Sequence, residues 1–426
     1  MIADSNITPA VPTFDLCSFL YDSASIHGGK TFEYIHAGRR VIVVQTLKGA
    51  NHVLRRNADN YRKELWSFQQ VFGRTRLTED GENWRRREKV TQPYLARFDA
   101  RLLTAISARR AESLAGHLLN TASKGRLDQF SLDVATIRIL ADSLLCGRLS
   151  AEAENFAADL HIMLDYAASY AFSARNSKSN ISLHKTGELA NVRQRMMSRL
   201  DSIRRNLPDG DNLLTALDRA DRCKDLNLRF HHELLLMFSA GSDTSAAALG
   251  WCCHALAENP EAQEAVRKEV RSVEVDELND PGVLNRLPLL NGFVEETLRL
   301  YPPIPMLARH SVSSDEIDSL NVEPGDLIFV SIVGVHRDPG TWTDADVFSF
   351  SRASPESGRP ARAIPFSAGP RVCGGARFAT LELKALVANL LKYLSFEASG
   401  LEPGPFQWRI SMRRQLGHPV KVSSIQ

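Results

Sequence analysis

The chain has 426 residues, 43% of them hydrophobic, enough to bury a sizeable core. Its 52 Lys and Arg against 50 Asp and Glu leave a net charge of +2 with no long basic run, so it carries no electrostatic footprint for nucleic acid. Six scattered cysteines (Cys17, Cys146, Cys223, Cys252, Cys253, Cys373) form no C-x-x-C pair, which argues against a disulfide framework or a zinc site and for a reducing compartment.

The first residues, "MIADSNITPAVPTFDLCSFLYDS", show neither the basic flank nor the apolar run of a signal peptide or membrane anchor, so a soluble cytoplasmic protein is expected. "TFEYI" and "RRVIVVQTL", joined by "HAGR", predict a small hairpin. From about residue 50 to about residue 301 the spacing predicts helices at 82–92, 99–122, 128–146, 151–171, 186–206, 228–258 and 260–272, with an exposed loop at 173–187.

The middle of the longest helix, "SAGSDTSAAALG", is built of small residues. Close helix packing is the plain reading. The sharper one is a large flat group against the helix, with Asp243 and Thr244 presenting an acid and a hydroxyl and Gly241 permitting a local bulge. Cys252 and Cys253, further along, read as core, and His231 and His232 as flanking residues. Glu296 and Arg299 in "VEETLRLYPP" stand at i,i+3 among apolar neighbours, so a partly buried pair needing further partners is expected.

Short strands follow in "EIDSLNVEPGDLIFVSIVGVHRDPGTW", where His336 predicts a structural hydrogen bond. "FSAGPRVCGG" then places Cys373 at the mouth of the helix "ARFATLELKALVANLLKYL". Backbone N–H groups there favour a thiolate, which is a nucleophile, a metal ligand or neither. "WRISMRRQLGHPVKV" predicts a last hairpin. No linker or internal repeat divides the chain, so one mainly α domain with a minor β part is expected over 1–426.

These stretches together resemble the cytochrome P-450 family. "FSAGPRVCGG" matches its cysteine-ligand signature F-x-x-G-x-R-x-C-x-G, "AGSDT" (240–244) its oxygen-activating segment, and "ETLR" (296–299) its E-x-x-R motif. "FSFSR" (348–352) stands where the family supplies a second arginine. The order and approximate spacing are the family's, and the likeness runs from about residue 30 to the C-terminus, covering 1–30 poorly. The resemblance implies a single-domain fold with haem b between the long central helix and the cysteine-loop helix. It also implies a soluble, bacterial-type haem-thiolate monooxygenase that uses dioxygen.

By the same resemblance Cys373 is the axial ligand of haem iron and Phe366 shields its sulfur. Gly369 and Gly375 let the backbone approach the porphyrin, which Ala240 and Gly241 face from the other side. Trp84, Arg309 and Arg371 meet the propionates, Asp243 and Thr244 deliver protons, and Glu296, Arg299 and Arg352 lock the fold behind the cysteine loop. One position departs from the pattern. Four residues after Trp84 the family has an arginine, and this chain has Glu88. Residues i and i+4 lie about 40° apart on a helix, so Glu88 brings a carboxylate toward a carboxylate. Arg87, about 60° off on the other side, is expected to replace the missing arginine.

The implied substrate segments are Trp66, Phe68 and Phe72, the 151–206 helices, Met237 and Phe238, Ile304 to Leu307 with Met306, and Ser411 with Met412. His161, Tyr166 and Tyr170 add polar contacts if they face inward. These suit a mid-sized apolar or amphipathic molecule, with natural-product tailoring as the context. A monomer is expected, taking electrons from a separate ferredoxin or flavodoxin and its reductase near Arg359, Arg362, Arg377 and Lys384. The alternatives are oxidative coupling, rearrangement or peroxide-driven chemistry on the same haem, a non-catalytic haem sensor, and a cysteine hydrolase, which lacks a positioned His base.

Overall fold

A computed structural model describes residues 15–36, 38–121, 124–171, 183–223, 226–274, 276–352 and 363–425. The chain opens with α1 (Leu16–His27), the hairpin β1 (Phe32–His36) and β2 (Arg39–Val44), α2 (Leu47–Asn51), β3 (Tyr61–Lys63) and α3 (Trp66–Phe72). The predicted helices follow as α4 (Gly81–Ala96), α5 (Ala100–Thr121), α6 (Gln129–Leu144), α7 (Ala153–Ala171) and α8 (Leu183–Arg205). Next come α9 (Leu213–Arg222), α10 (Phe230–Glu258), α11 (Pro260–Arg271), α12 (Pro281–Asn285) and α13 (Pro288–Leu300). The β part holds β4 (Met306–Ser311), β5 (Asp315–Ile317), β6 (Leu320–Val322) and β7 (Leu327–Ser331). Then come α14 (Ile332–Val335), α15 (Ala376–Tyr393), β8 (Leu394–Ala398), β9 (Phe406–Trp408), β10 (Met412–Arg414) and β11 (Val420–Ser424). The mainly α architecture expected from the sequence is the one observed. Most of the loop expected at 173–187 lies outside the described residues.

Local chemistry sets the boundaries. Asp15 caps α1 by accepting from Ser18 N, and Gly28 ends it in the left-handed region at φ 56°. Asn212 and Thr215 form a reciprocal capping box on α9. Proline supplies the first turn of α11, α12 and α13, where its missing N–H costs nothing. The sequence reading missed α1, whose buried Leu16, Cys17, Leu20 and Ala24 are its only apolar stripe.

α10 is buried along most of its 29 residues and forms the axis on which α6, α13 and α15 pack. It runs unbroken through Gly241, so the expected bulge is absent. A Cβ on Gly241 would lie 3.0 Å from Leu140 of α6, so close helix packing explains this glycine. A five-stranded sheet, ordered β1-β2-β7-β4-β3, flanks the helices. β2 and β7 are parallel, and β4 is antiparallel to both β7 and β3. The C-terminal hairpin is β9–β10, but β11 pairs with β8 rather than closing that hairpin.

Candidate active site

The cysteine loop is held by its own backbone. Cys373 N donates to the carbonyl of Phe366 at 2.9 Å, and Gly369 to Arg371 form a tight turn before α15 begins. Gly369 sits at φ 71°, and a Cβ there would lie 1.9 Å from the carbonyl oxygen of Leu54. Only glycine satisfies both conditions. Its constraint is therefore this backbone crossing, since Gly369 does not line the cavity.

A cavity of about 370 Å³ lies between α10 and this loop. Its wall includes Cys373, Phe366, Gly375, Ala240, Gly241, Thr244, Trp84, Arg309 and Arg371, so the structure gathers these predicted residues in one place. The thiol of Cys373 is pushed up from its ordinary value by burial, against the pull of the Gly375 N–H and of the Arg76 and Lys63 charges. Desolvation thus opposes the pull of the helix mouth on this proton, which a bound metal ion would displace.

Two predicted site residues point elsewhere. Asp243 is buried on the far side of α10, where its Oδ1 accepts from Arg413 Nη2 at 2.6 Å. Arg413 also holds Asp133, which pairs with His161 at 3.0 Å, so Asp243 and His161 belong to one buried ionic cluster and neither lines the cavity. Arg87 is likewise committed: Nη1 donates to Glu233 at 2.6 Å and Nη2 to the carbonyl of Asn227 at 2.6 Å. It lies outside the cavity wall and does not replace the missing arginine.

Among the tentative substrate contacts, Met237, Ile304 and Met306 line the cavity, as do Phe68 and Leu307. Phe72, Phe238 and Met412 do not. Phe72 stacks on Phe68, Phe238 packs on Phe156 with ring centroids 4.7 Å apart, and Met412 is core beside Cys17 and Trp251. Tyr166 is core, and the side chain of Tyr170 lies outside the described residues. Leu65, Leu236, Trp408 and Ile410 also belong to the apolar wall, with no motif to have announced them.

Behind the loop, both acid and base of the E-x-x-R pair are buried. Arg299 Nε and Nη2 each meet the Glu296 carboxylate at 2.8 Å, and Arg299 Nη1 donates to the carbonyls of His336 and Ala345. Arg352 Nε and Ser349 N donate to Glu296 Oε1 at 3.1 and 2.9 Å. The further partners that a buried pair requires are thus all present. His336 makes its structural bonds as expected, to the carbonyl of Arg299 and from the N–H of Ile364. Cys252 and Cys253 are core, and His231 pairs with Asp201 at the start of α10.

Four cations line the cavity: Lys63, Arg76, Arg309 and Arg371. Arg371 pairs with Asp80 and stacks 4.5 Å over the Trp84 ring, and Arg76 pairs with Glu88. Lys63 and Arg309 form no ion pair with a carboxylate among the described residues. They are direct neighbours across β3 and β4, where like charges repel. Burial, then the charges of Arg371 and Arg309, pull Lys63 well below its usual value. Burial and the charge of Arg371 bring Arg309 down to about 10, against the pull of Asp80. Neither cation is matched by a carboxylate among the described residues, so the site suits an anionic ligand.

The model of the family described as "Cytochrome P450" matches residues 20–417. The chain belongs to the cytochrome P450 family. Members of this family are monooxygenases that hold haem b through a cysteine thiolate, and the two surplus cations suit the two propionates of that group. "Cytochrome P450 4A10" of Rattus norvegicus is 34% identical over 240 residues, 54% of this chain and 43% of its own. "Protein LUTEIN DEFICIENT 5, chloroplastic" of Arabidopsis thaliana is 28% identical over 421 residues, 90% of this chain and 70% of its own. "Taurochenodeoxycholic 6 alpha-hydroxylase" of Sus scrofa is 34% identical over 227 residues, 52% of this chain and 42% of its own. The P450 chain thus spans less than half the length of the rat and pig relatives. No helix among its described residues is long and apolar enough to cross a membrane.

Proposed function

We propose that this chain is a haem-thiolate monooxygenase that inserts one atom of dioxygen into a mid-sized apolar or amphipathic substrate. The observation that carries the reading is a single cavity, largely apolar, that joins Cys373 and Thr244 and is lined by two cations, Lys63 and Arg309, with no carboxylate ion pair among the described residues. Cys373 would hold the iron, and Arg309, Arg371, Lys63 and the indole N–H of Trp84 the propionates. Haem held through a thiolate supplies dioxygen activation, because the sulfur's electron density favours O–O cleavage.

The chain's own groups do the rest. Phe366 screens the sulfur from water. Leu236, Met237, Ile304, Met306, Leu307 and Trp408 bury the substrate and exclude solvent. Thr244, whose hydroxyl now donates to the carbonyl of Ala240 at 2.8 Å, is the proton-handling group facing the cavity. Asp243 would have to leave Arg413 before sharing that task. Glu296, Arg299 and Arg352 hold the loop's support and touch nothing that reacts.

Electrons would come from a separate ferredoxin or flavodoxin. Arg377 is exposed on the first turn of α15 and bonds to the carbonyl of Ala96, so α4 adjoins this face with exposed Lys89 and Arg97. Lys384, assigned to the same face from sequence, is buried and donates to Asn285, and so is withdrawn from it. Arg359 and Arg362 lie outside the described residues. The unpaired cysteines suit a reducing compartment, the cytoplasm. A relative named "Taurochenodeoxycholic 6 alpha-hydroxylase" is in keeping with an amphipathic substrate, and secondary metabolism is the context we infer.

The test is Cys373→Ser. The parent should show a strongly shifted Soret band with carbon monoxide and form product with a reductant system, and the variant should lose both. A variant that kept the thiolate-type band would assign the ligand to another cysteine and end this reading.

A further inference from the structure

Glu88 stands where the family has an arginine, and a cation missing from sequence reasoning sits directly over it. Arg76, in the segment between α3 and α4, lines the cavity beside Cys373, Trp84 and Arg371. Its Nη2 lies 3.8 Å from Glu88 Oε1 and donates to Gln92 Oε1 at 2.5 Å, and its Nη1 donates to Thr91 Oγ1 at 3.0 Å. Positions 88, 91 and 92 are i, i+3 and i+4, so one face of α4 clamps the guanidinium. The main chain is fixed as well, because Arg76 N donates to both oxygens of buried Glu233 at 3.1 and 3.2 Å.

Room for the guanidinium comes from the cysteine loop. A Cβ on Gly374 would lie 2.8 Å from Arg76 Nη2 and 2.7 Å from Gln92 Oε1. Thr91 and Gln92 take two of the five N–H groups of Arg76, which leaves donors for an anion. Glu88 therefore faces a guanidinium rather than a carboxylate, and the like-charge conflict expected there does not arise.

We propose that Arg76 takes the place of the missing arginine: its guanidinium binds a haem propionate, and Glu88, with Thr91 and Gln92, is a positioning residue that aims it. The proposal rests on the haem-thiolate reading above. A planar fork held at three points is pre-organised for a carboxylate, which a mobile lysine is not.

The experiment measures haem transfer to apomyoglobin from the parent, Arg76→Ala, Arg76→Lys and the double variant Arg76→Ala/Glu88→Arg. Each protein is loaded either with haem or with haem dimethyl ester, which lacks the propionate charges. A charge-assisted hydrogen bond corresponds to roughly 10- to 100-fold, so Arg76→Ala should release haem faster by about that factor. The ester should show little of this acceleration, and the double variant, which restores an arginine on α4, should regain slow release. Should Arg76→Ala accumulate poorly, Arg76→Lys carries the same haem-against-ester comparison with a smaller factor. Release of haem unchanged by removing Arg76 would overturn the proposal. So would equal acceleration for haem and ester, which a purely structural role predicts. A parent without the carbon monoxide-shifted band overturns the haem-thiolate reading and this one with it; a shifted band with unchanged Arg76→Ala release overturns this one alone.

Discussion

Thr244 turns its hydroxyl back onto its own helix, where it donates to the carbonyl of Ala240, yet the residue lines the cavity. Replacing it with alanine removes a proton donor and acceptor without changing the apolar wall. Thr244→Ala should therefore bind substrate nearly as the parent does, while product falls about 100-fold and the electrons appear as hydrogen peroxide. The ratio of electrons consumed to product formed is the readout; an unchanged ratio would place the proton route elsewhere. Its neighbour Ser245 donates to Glu382 on α15 at 2.6 Å. Burial pushes the Glu382 carboxyl up to about 8 from an ordinary 4.5, with the serine bond pulling partly the other way. The unfolded chain loses this proton near 4.5 while the folded protein keeps it, so stability from this group is lost as pH rises from about 4.5 to about 8. Glu382→Gln keeps the shape and still accepts from Ser245, but has no proton to lose. It should match the parent near pH 4 and exceed it by about 2–3 kcal/mol near neutral pH, measured as the difference in unfolding free energy between the two proteins across that range. A difference independent of pH would mean that Glu382 is already ionised in the fold.

Elements carry their constraints at crossings. A Cβ on Gly292, within α13, would lie 1.9 Å from the carbonyl oxygen of Phe350. Backbone meets backbone there, so neither side can yield cheaply. Gly292→Ala should push α13 off the segment bearing Ser349 and Arg352, both of which hold Glu296, and cost about 1–3 kcal/mol. Melting temperature and haem content per chain should fall together; a variant with parent values in both would show that the crossing is soft. The helices themselves were legible because their apolar residues recur at helical spacing over several turns, as in α10 and α15. The short stripe of α1 was too brief to register among serines and aspartates. Pairing at a distance was not legible either: β2 finds β7 some 290 residues on, and β8 takes β11 from the expected hairpin. Angular arithmetic could set Arg87 about 60° from Trp84 on α4, but could not say that Glu233 of α10 awaits it there. Asp243 precedes Thr244 by about 100° around α10, so a helix that turns one to the cavity turns the other to Arg413. Residue type could not separate wall from core, and so Met237 and Phe238, adjacent in sequence, went to opposite fates. Arg76 sits in a segment with no periodicity, and only the packed structure brings it to Glu88.

At the scale of the whole molecule the cavity is where three parts of the chain meet: the long helix, the cysteine loop and the edge of the sheet. The loop and helix bring sulfur and hydroxyl, both announced by motifs, while much of the apolar wall comes from segments no motif marks. The sheet edge brings Lys63 opposite Arg309, which no motif announces, since a three-residue strand gains its partner only through the register of β3 on β4. That cross-strand pair makes assembly of the holoprotein a proton-coupled event. Burial, with crowding by Arg371 and Arg309, lets Lys63 shed its proton well before a free lysine would. A carboxylate arriving beside it reverses the balance and draws a proton from solvent, so haem should bind more weakly as the solution is made alkaline through that range. Calorimetry in buffers of different ionisation enthalpy would count the protons taken up. Any proton released by the sulfur is common to parent and Lys63→Met, so the difference between them isolates the lysine. Under alkaline conditions the parent should take up up to one proton more per haem than the variant, and equal counts would show that the lysine never gave its proton away.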